Sequence, residues 1–276
     1  MAFLGDYHTH TTFSRRGAKK HAIGSVLDNA FAAKKAGLTE LAITDHGFCH
    51  YYGIDGEAAF AKLKIACKQA EALTGVKIYA GLENNLDPRS GKNKDLPALM
   101  ECTPETLEKL DIVQGGYHAM VGTPTIFRNM LFWARNVIFK FLPSKKLIVR
   151  NTEAYKRAID EYPIDFIGHL NRGILADAVE VAKYAHERGV YIELNGRHKS
   201  LSKKQIKKMV EAGVQFICNS DAHKPEAVGT MPLAVKMIKK YGIPYSQIAN
   251  WDKLPAFRSQ NFTTARRQKN GEVVDG

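Results

Sequence analysis

Short apolar segments alternate with amphipathic segments along most of the chain. Seven apolar segments are rich in Ile, Val, Leu, Tyr or Phe and end in polar residues or Gly, which predicts β-strands. These predicted strands are Leu4–His8, Thr39–His46, Lys77–Glu83, Asp111–His118, Asp165–Leu170, Val190–Asn195 and Gln215–Asp221. The amphipathic segments predict helices that mostly stop at a Gly, and they cover Ser25–Ala36, Glu57–Leu73, Ala176–Arg188, Ser202–Ala212 and Pro225–Lys240.

This rhythm of helix, Gly and strand is typical of repeated βα units, which favour a mostly parallel sheet or barrel. Seven units predict an α/β fold: a distorted (β/α)7 barrel, similar to the eightfold TIM barrel but one unit short. An open doubly wound sheet is the alternative. We expect the barrel to span residues 1–250, with an inserted basic amphipathic segment at about 123–150 and a basic C-terminal tail at 251–276. The apolar side chains of the inserted segment predict packing on the barrel, with a substrate lid, a dimer contact or a membrane-surface contact as alternatives.

Composition narrows the class of protein. A chain of 276 residues with 45% hydrophobic residues can bury a core without disulfide or metal staples, which excludes a disordered chain and a coiled coil. The net charge of +12 is compatible with nucleic acid, a membrane surface or an anionic substrate, and equally with an ordinary basic surface. No signal peptide and no apolar run of about 18 residues stands out. The four cysteines form no Cys-x-x-Cys pair, which favours reduced thiols and a cytoplasmic location.

Imidazoles and carboxylates cluster at the ends of the predicted strands. His8, His10, His46, Glu83, His118, His169, Asp221 and His223 all lie at or just beyond such ends, and His21 precedes the first predicted helix. In a parallel barrel the carboxyl ends of all strands share one face, so these side chains would converge there. Neutral imidazole and carboxylate are ligands of zinc, manganese and iron. The sequence therefore predicts a metal site at this face, whereas we expect His50, His186 and His198 to be surface or hydrogen-bonded residues.

Taken in order, these motifs resemble those of the polymerase-and-histidinol-phosphatase (PHP) family. The resemblance covers the chain from about Leu4 to Gly242 and rests on His8-Thr-His10, Thr44-Asp-His46-Gly, Glu83, His118, His169 and Asp221-Ala-His223. It is closest to the stand-alone phosphatase branch, in which a His before the first helix completes a trinuclear metal cluster. His21-Ala22 is similar to that position. The resemblance thus implies a barrel with three divalent metal ions.

The same resemblance implies a ligand set for each ion, which would be Zn, Mn or Fe. One ion would be held by His8, His10, Glu83 and Asp221, a second by Glu83, His118 and His169, and a third by His21, His46 and His223. A hydroxide that bridges two ions would attack phosphorus, so that no protein nucleophile is needed. Glu83 and Asp221 would be catalytic through the metals. Arg172, three residues beyond His169, would act on the phosphate oxygens, and Arg197 and Arg15 are further candidates for substrate binding.

These residues favour a metal-dependent phosphatase that hydrolyses phosphate monoesters on small metabolites. Histidinol phosphate and nucleotide phosphates are both substrate types that the resemblance implies. The alternatives are a phosphodiesterase or nuclease that acts on nucleic acid, an amidohydrolase, and a non-catalytic metal-binding barrel. Nucleic acid is favoured less because no aromatic and basic stacking platform is evident in the sequence. The amidohydrolase is favoured less because the predicted bridging carboxylate lies on the third strand and the fourth strand ends in a His.

Overall fold

The computed structural model describes residues 2–14, 21–86, 102, 104–118, 130, 134, 136 and 144–260. Within these ranges, seven parallel strands form one sheet in chain order. They are β1 (Gly5–Asp6), β2 (Glu40–His46), β3 (Lys77–Asn85), β4 (Ile112–Gly116), β5 (Phe166–Ile167), β6 (Tyr191–Asn195) and β7 (Phe216–Asn219). A parallel bridge between Thr9 and Ala222 joins the chain after β1 to the chain after β7, so the sheet is a nearly closed barrel. The predicted seven-stranded barrel is confirmed.

Helices lie between the strands, and their caps agree with the Ser and Gly residues that the sequence predicts as helix boundaries. They are α1 (Val26–Lys35), α2 (Gly56–Thr74), α3 (Pro104–Leu107), α4 (Lys145–Glu161), α5 (Ala178–His186), α6 (Lys203–Glu211) and α7 (Pro232–Tyr241). Ser25 begins α1 with a capping box, in which its side chain accepts from the Asp28 N–H and the Asp28 carboxylate accepts from the Ser25 N–H. Gly75 ends α2 at φ 74°, a left-handed conformation that favours glycine.

The predicted helix Pro225–Lys240 is wrong as a single element. A 3₁₀ turn at Pro225–Ala227 comes first, and α7 begins only at Pro232. Between them Gly229 has φ 73°, and its N–H donates to Asp6 Oδ2 at 2.9 Å. This left-handed glycine turns the chain away from a helical path, and Pro232 opens a new helix because its missing N–H is not needed in a first turn.

Helix α4 is absent from the sequence prediction, although it carries a helical pattern. Tyr155, Ala158 and Ile159 are buried at spacings of one helical turn. The Lys and Arg residues around them make this apolar pattern hard to recognise in the sequence. Most of the predicted inserted segment at 123–150 lies outside the described residues, and its last part forms the first turns of α4.

Among the residues that the structure describes, two groups of buried apolar side chains make up the core. The larger group lies between the strands and the surrounding helices. The smaller group brings together Tyr7, Ala42, Ile112, Phe166, Ile217 and Phe257. Because β2, β4, β5 and β7 all contribute to the smaller group, it must lie inside the barrel, and these residues come from the amino-terminal halves of their strands. The barrel interior is therefore largely apolar at the end opposite the predicted metal site.

The chain after α7 closes this apolar end of the barrel. The Phe257 ring packs edge-on against Tyr7 with ring centroids 4.9 Å apart. The Ser259 N–H donates to the buried Asp165 carboxylate at 2.9 Å, and Arg258 donates to the carbonyls of Ile159 and Ile164. The predicted C-terminal tail thus begins as a packed segment, and its residues 261–276 lie outside the described residues. None of the described helices combines the length and the apolar character needed to cross a membrane.

Replacing Phe257 with Ala should lower the free energy of unfolding by about 3–5 kcal/mol, since it empties a buried position inside the barrel. Phe257 is 2% exposed. Phe31→Ala is the matched control, because Phe31 is 51% exposed on α1 and its loss should cost less than about 1 kcal/mol. Chemical denaturation of both variants measures the difference, and equal losses would contradict the closing role of Phe257.

Candidate metal centre

The rim formed by the carboxyl ends of the strands carries a dense group of imidazoles and carboxylates. His8 and His10 follow β1, His46 ends β2, Glu83 lies near the end of β3, His118 and His169 follow β4 and β5, and Asp221 and His223 follow β7. His21 lies in the loop that leads into α1. Contacts between their side chains, given below, show that all nine residues predicted from the sequence meet at one place.

Glu83 lies at the centre of this group and is 1% exposed. Its Oε1 is 2.7 Å from His169 Nε2, 3.0 Å from His118 Nε2 and 3.2 Å from His8 Nε2. Its Oε2 is 2.7 Å from His46 Nδ1. One carboxylate therefore contacts imidazoles from four other strands, which is the arrangement expected of a group that bridges two cations.

Asp221 is the second carboxylate of the group, and its Oδ1 faces the imidazoles of β1 and β7. It is 3.6 Å from His10 Nε2, 3.9 Å from His8 Nε2 and 3.4 Å from His223 Nδ1. Asp221 has φ 55° and His169 has φ 26°, values that side-chain-bearing residues rarely adopt. Such conformations cost free energy and concentrate at functional sites, because the surrounding structure must hold them in place.

A third group of imidazoles lies beside the two carboxylates. His21 Nε2 is 2.8 Å from His46 Nε2 and 3.0 Å from His223 Nε2. The His10 ring lies against both His46 and His223, with ring centroids 4.5 and 4.4 Å apart. Three nitrogens at these separations can share one cation, since zinc–nitrogen bonds are about 2.0–2.1 Å long.

The donor atoms of this rim fit divalent cations. His10 Nε2, His46 Nδ1 and Glu83 Oε2 are buried and have no hydrogen-bond partner within the described part of the chain. His46 Nδ1 and Glu83 Oε2 are only 2.7 Å apart without the alignment of a hydrogen bond, and such unpaired buried groups are costly. Within four sets, the potential ligand atoms lie within 4.8 Å of one another: His8, Glu83 and His169; His8, His10 and Asp221; His10, His46 and His223; and His46, His50 and His118.

The electrostatics of the rim keep His21, His46 and Glu83 in the form that binds a cation. Burial disfavours the charged form of His8, but the charges of Glu83, Glu193 and Asp221 outweigh it and raise its pKa well above the ordinary value. Burial, and then the nearby His10, lowers the pKa of His21 to about 4 and holds the pKa of His46 well below its ordinary value. Burial alone would raise the pKa of Glu83, but its interactions with His118, His8 and His46 outweigh it and hold that pKa well below normal. His21 and His46 are therefore neutral at pH 7, and Glu83 is ionised.

His50 and His198, which we expect from the sequence to be surface or hydrogen-bonded residues, both lie beside the candidate metal centre. His50 is 4% exposed, and its ring centroid is 4.0 Å from that of His46. His198 Nε2 is 3.6 Å from Asp221 Oδ2. His50 Nδ1 accepts from the Tyr52 N–H at 3.2 Å, and both histidines lie next to the candidate metal centre because the loops after β2 and β6 turn back over the rim. Their positions three or four residues beyond a predicted strand end were a signal for this, whereas His186 ends α5.

A cavity of about 470 Å³ opens above the rim. Besides the candidate ligands, it is lined by Tyr52, Tyr117, Arg172, Arg197 and His198. Arg197 Nη1 contacts His223 Nδ1 at 2.7 Å and donates to the Asp221 carbonyl at 3.3 Å. Burial, and then the charge of Arg172, lowers the pKa of His198 to about 4. Two of the three predicted substrate-binding arginines thus line the cavity, and the third, Arg15, lies outside the described residues.

Sequence comparison agrees with this architecture. The model of the PHP domain family matches residues 6–197. A protein of Thermoanaerobacter sp. (strain X514) named a probable phosphatase is 33% identical over 264 residues, which cover 91% of this chain and 92% of that protein. A probable phosphatase of Shewanella sp. (strain ANA-3) is 27% identical over 280 residues, which cover 96% of this chain and 93% of the relative.

Structural comparison supports the same fold. Histidinol phosphate phosphatase from Lactococcus lactis subsp. lactis Il1403, solved with zinc, L-histidinol and phosphate, superposes with a TM-score of 0.61. The superposition covers 94% of this chain and 98% of that enzyme at 16% sequence identity, so it shows that the two chains share a fold. The family model spans well over half of the chain, and the Thermoanaerobacter relative matches nearly all of it. This chain therefore belongs to the PHP domain family.

Proposed function

We propose that this protein is a metal-dependent phosphatase that hydrolyses phosphate monoesters of small metabolites. The observation that carries the proposal is the convergence of eight imidazole and carboxylate side chains around Glu83 beneath a cavity lined by two arginines. The probable phosphatases among its relatives and the phosphate-containing Lactococcus lactis enzyme support this class of reaction. A cavity of about 470 Å³ suits a small molecule, since such sites usually measure roughly 300–1,000 Å³.

Three divalent ions would be held by the sets that the sequence predicts. His8, His10, Glu83 and Asp221 would hold the first; Glu83, His118 and His169 the second; His21, His46 and His223 the third. Zinc, manganese and iron all suit these ligands, and the zinc in the Lactococcus lactis enzyme supports zinc. Bound there, divalent cations would lower the pKa of water towards neutrality and offset charge on the phosphoryl oxygens.

The chain itself would orient the phosphate group. Arg172 follows His169, and its backbone N–H donates to the His169 carbonyl at 3.0 Å, which ties its position to the rim. Arg197 is held beside His223 and Asp221 on the other side. Two guanidinium groups that flank the cluster can bind the remaining phosphate oxygens as bidentate donors.

The charges around the cavity favour a substrate whose leaving group is neutral or anionic. Among the described residues that line the cavity, the carboxylates are Glu83 and Asp221. Both belong to the candidate metal centre and are at most 2% exposed. An amino alcohol such as histidinol would bring a cation to a surface that presents Arg172 and Arg197. A nucleotide-type or acidic leaving group would meet these cations favourably.

A cytoplasmic location is part of the same proposal. None of the four cysteines, which all lie in the described part of the chain, forms a disulfide, and Cys67, Cys102 and Cys218 are buried, which suits a reducing compartment.

A set of phosphate esters tests the proposed function. We expect hydrolysis of p-nitrophenyl phosphate in the presence of Zn, Mn or Fe, and far slower hydrolysis of bis(p-nitrophenyl) phosphate. Among small monoesters, 3-phosphoglycerate should exceed phosphoethanolamine in kcat/KM by about tenfold or more, because a charge-assisted hydrogen bond contributes about 1.5–3 kcal/mol. Glycerol 3-phosphate, which has a neutral leaving group, should lie between them.

Preferred hydrolysis of the diester would favour the phosphodiesterase or nuclease alternative. If phosphoethanolamine is the best of the three monoesters, the charge argument fails while the phosphatase assignment stands. No hydrolysis of any ester by metal-loaded protein would overturn the proposed function itself.

Glu83→Gln should remove most phosphatase activity while the barrel stays folded. The change replaces a carboxylate that contacts four imidazoles and would serve two cations, so both would be disturbed. Activity within about tenfold of the parent, less than about 1.4 kcal/mol, would contradict the bridging role. Circular dichroism of the variant separates this result from unfolding, and metal analysis should show fewer bound ions per chain.

Arg172→Lys should lower kcat/KM by about tenfold to a hundredfold, because lysine keeps the charge but not the two parallel donors. Steady-state kinetics with p-nitrophenyl phosphate measures the loss, and metal content should not change. The control is Lys146→Arg on α4, which makes the reverse exchange between lysine and arginine on the surface. It should not alter kcat/KM. If Arg172→Lys is as active as the parent, Arg197 becomes the candidate for phosphate recognition.

A further inference from the structure

Strand β6 contributes no residue to the predicted ligand set, yet it ends in two polar side chains that are buried directly beside the metal centre. Glu193 and Asn195 are each 1% exposed. Their side chains contact residues that follow three other strands, β1, β5 and β7. We propose that Glu193 is a positioning residue that holds His8 and His169 for cation binding, with Asn195 linking it to Asp221. This inference rests on the proposed metal centre.

The first oxygen of Glu193, Oε1, determines which nitrogen of the His8 ring carries the proton. Glu193 Oε1 is 2.8 Å from His8 Nδ1 and accepts from Asn219 Nδ2 at 3.0 Å. An ionised carboxylate can only accept, so Nδ1 of His8 must carry the proton. In the neutral form of the ring, which is the form that binds a cation, the lone pair then lies on Nε2, the nitrogen that faces Glu83 Oε1 at 3.2 Å. A carboxylate behind a ligating histidine fixes its tautomer and ring orientation and raises its basicity as a ligand.

The second oxygen of Glu193 holds the backbone at the end of β5. Glu193 Oε2 accepts from the His169 N–H at 2.8 Å and from Asn195 Nδ2 at 3.0 Å. His169 has φ 26°, a conformation that its own side chain disfavours, so an anchor on its N–H stabilises this turn. The same turn places His169 Nε2 at 2.7 Å from Glu83 Oε1. Glu193 therefore acts on two ligand positions from opposite sides of the carboxylate.

Asn195 extends this support to the ligand that follows β7. Its Nδ2 donates to Asp221 Oδ2 at 3.1 Å as well as to Glu193 Oε2. This leaves Asp221 Oδ1 facing His10 and His8. Asp221 also has a positive φ of 55°, a backbone conformation that persists only where surrounding contacts hold it. One amide thus joins the positioning carboxylate to a ligating carboxylate.

The four donors around Glu193 explain why a neutral isostere cannot replace it. His8, Asn219, the His169 backbone and Asn195 all donate, and they occupy both carboxylate oxygens. A glutamine would present an NH₂ group to two of these donors, which breaks at least those contacts and places donor against donor. The His8 ring or the His169 turn would then lose its fixed orientation, although both side chains remain.

Metal affinity of Glu193→Gln tests this role without depending on activity. We expect the variant to bind Zn²⁺ about 10–100-fold more weakly than the parent, the usual cost of losing a partner behind a metal ligand. Competition with a chromophoric chelator measures the affinity, and the absorption spectrum of the Co²⁺ form reports on ligand geometry. The matched control is Glu40→Gln at the opposite end of the barrel, where Glu40 accepts from Tyr7 and Tyr79 hydroxyls. The control should keep the parent's affinity and Co²⁺ spectrum.

Parent-like affinity and an unchanged Co²⁺ spectrum in Glu193→Gln would overturn the proposal, as would equal weakening in Glu40→Gln, which would indicate only a general loss of packing. If Glu193→Gln does not fold without metal, Asn195→Ala provides the test, and it too should weaken Zn²⁺ binding. Parent affinity in that variant would equally count against the positioning role. Failure of the parent to bind metal would instead refute the metal centre, and failure to cleave esters with metal bound would refute the proposed reaction alone.

Discussion

Burial of Glu83 among imidazoles is the interaction on which the rest of the rim depends. A carboxylate that is 1% exposed loses nearly all of its hydration, and this loss must be offset by positive charge or donors. His8, His46, His118 and His169 lie within 3.2 Å of its two oxygens, so neighbouring imidazoles and the cations they would hold supply the compensation. No pair of adjacent strands could assemble this set, because the four histidines follow β1, β2, β4 and β5. A nearly closed parallel barrel provides the required geometry.

The stabilising apolar core and the polar metal centre lie at opposite ends of the barrel. Its amino-terminal half is filled by Ala42, Ile112, Phe166 and Ile217 and is closed by Phe257, so apolar burial stabilises the fold away from the chemistry. Its carboxyl-terminal half can then carry polar groups and residues in unfavourable conformations, such as His169 at φ 26° and Asp221 at φ 55°. Strain of this kind persists only where surrounding contacts hold it. In this barrel the buried side chains at the end of β6 provide such contacts.

The proposed reaction follows from the difference between the base and the mouth of the cavity. The base brings together ligands for divalent cations, which are electrophiles for phosphoryl oxygens. The mouth presents Arg172 and Arg197, which extend the positive field outwards and favour anionic substrates over cationic ones. The net charge of +12 is therefore consistent with a small anionic substrate and does not require nucleic acid.

The sequence by itself determined the βα order, the helix caps at Ser25 and Gly75, and the candidate ligands, because each rests on local periodicity, local turn chemistry or ligand type at a strand end. The tertiary structure alone decided which atoms meet. The inward turn of His50 and His198, the contacts of Glu193 and the break at Gly229 all depend on partners far away in the chain, such as Asp6 for Gly229. Strand register and loop direction set these contacts, and neither leaves a periodic signal in the residues that they bring together.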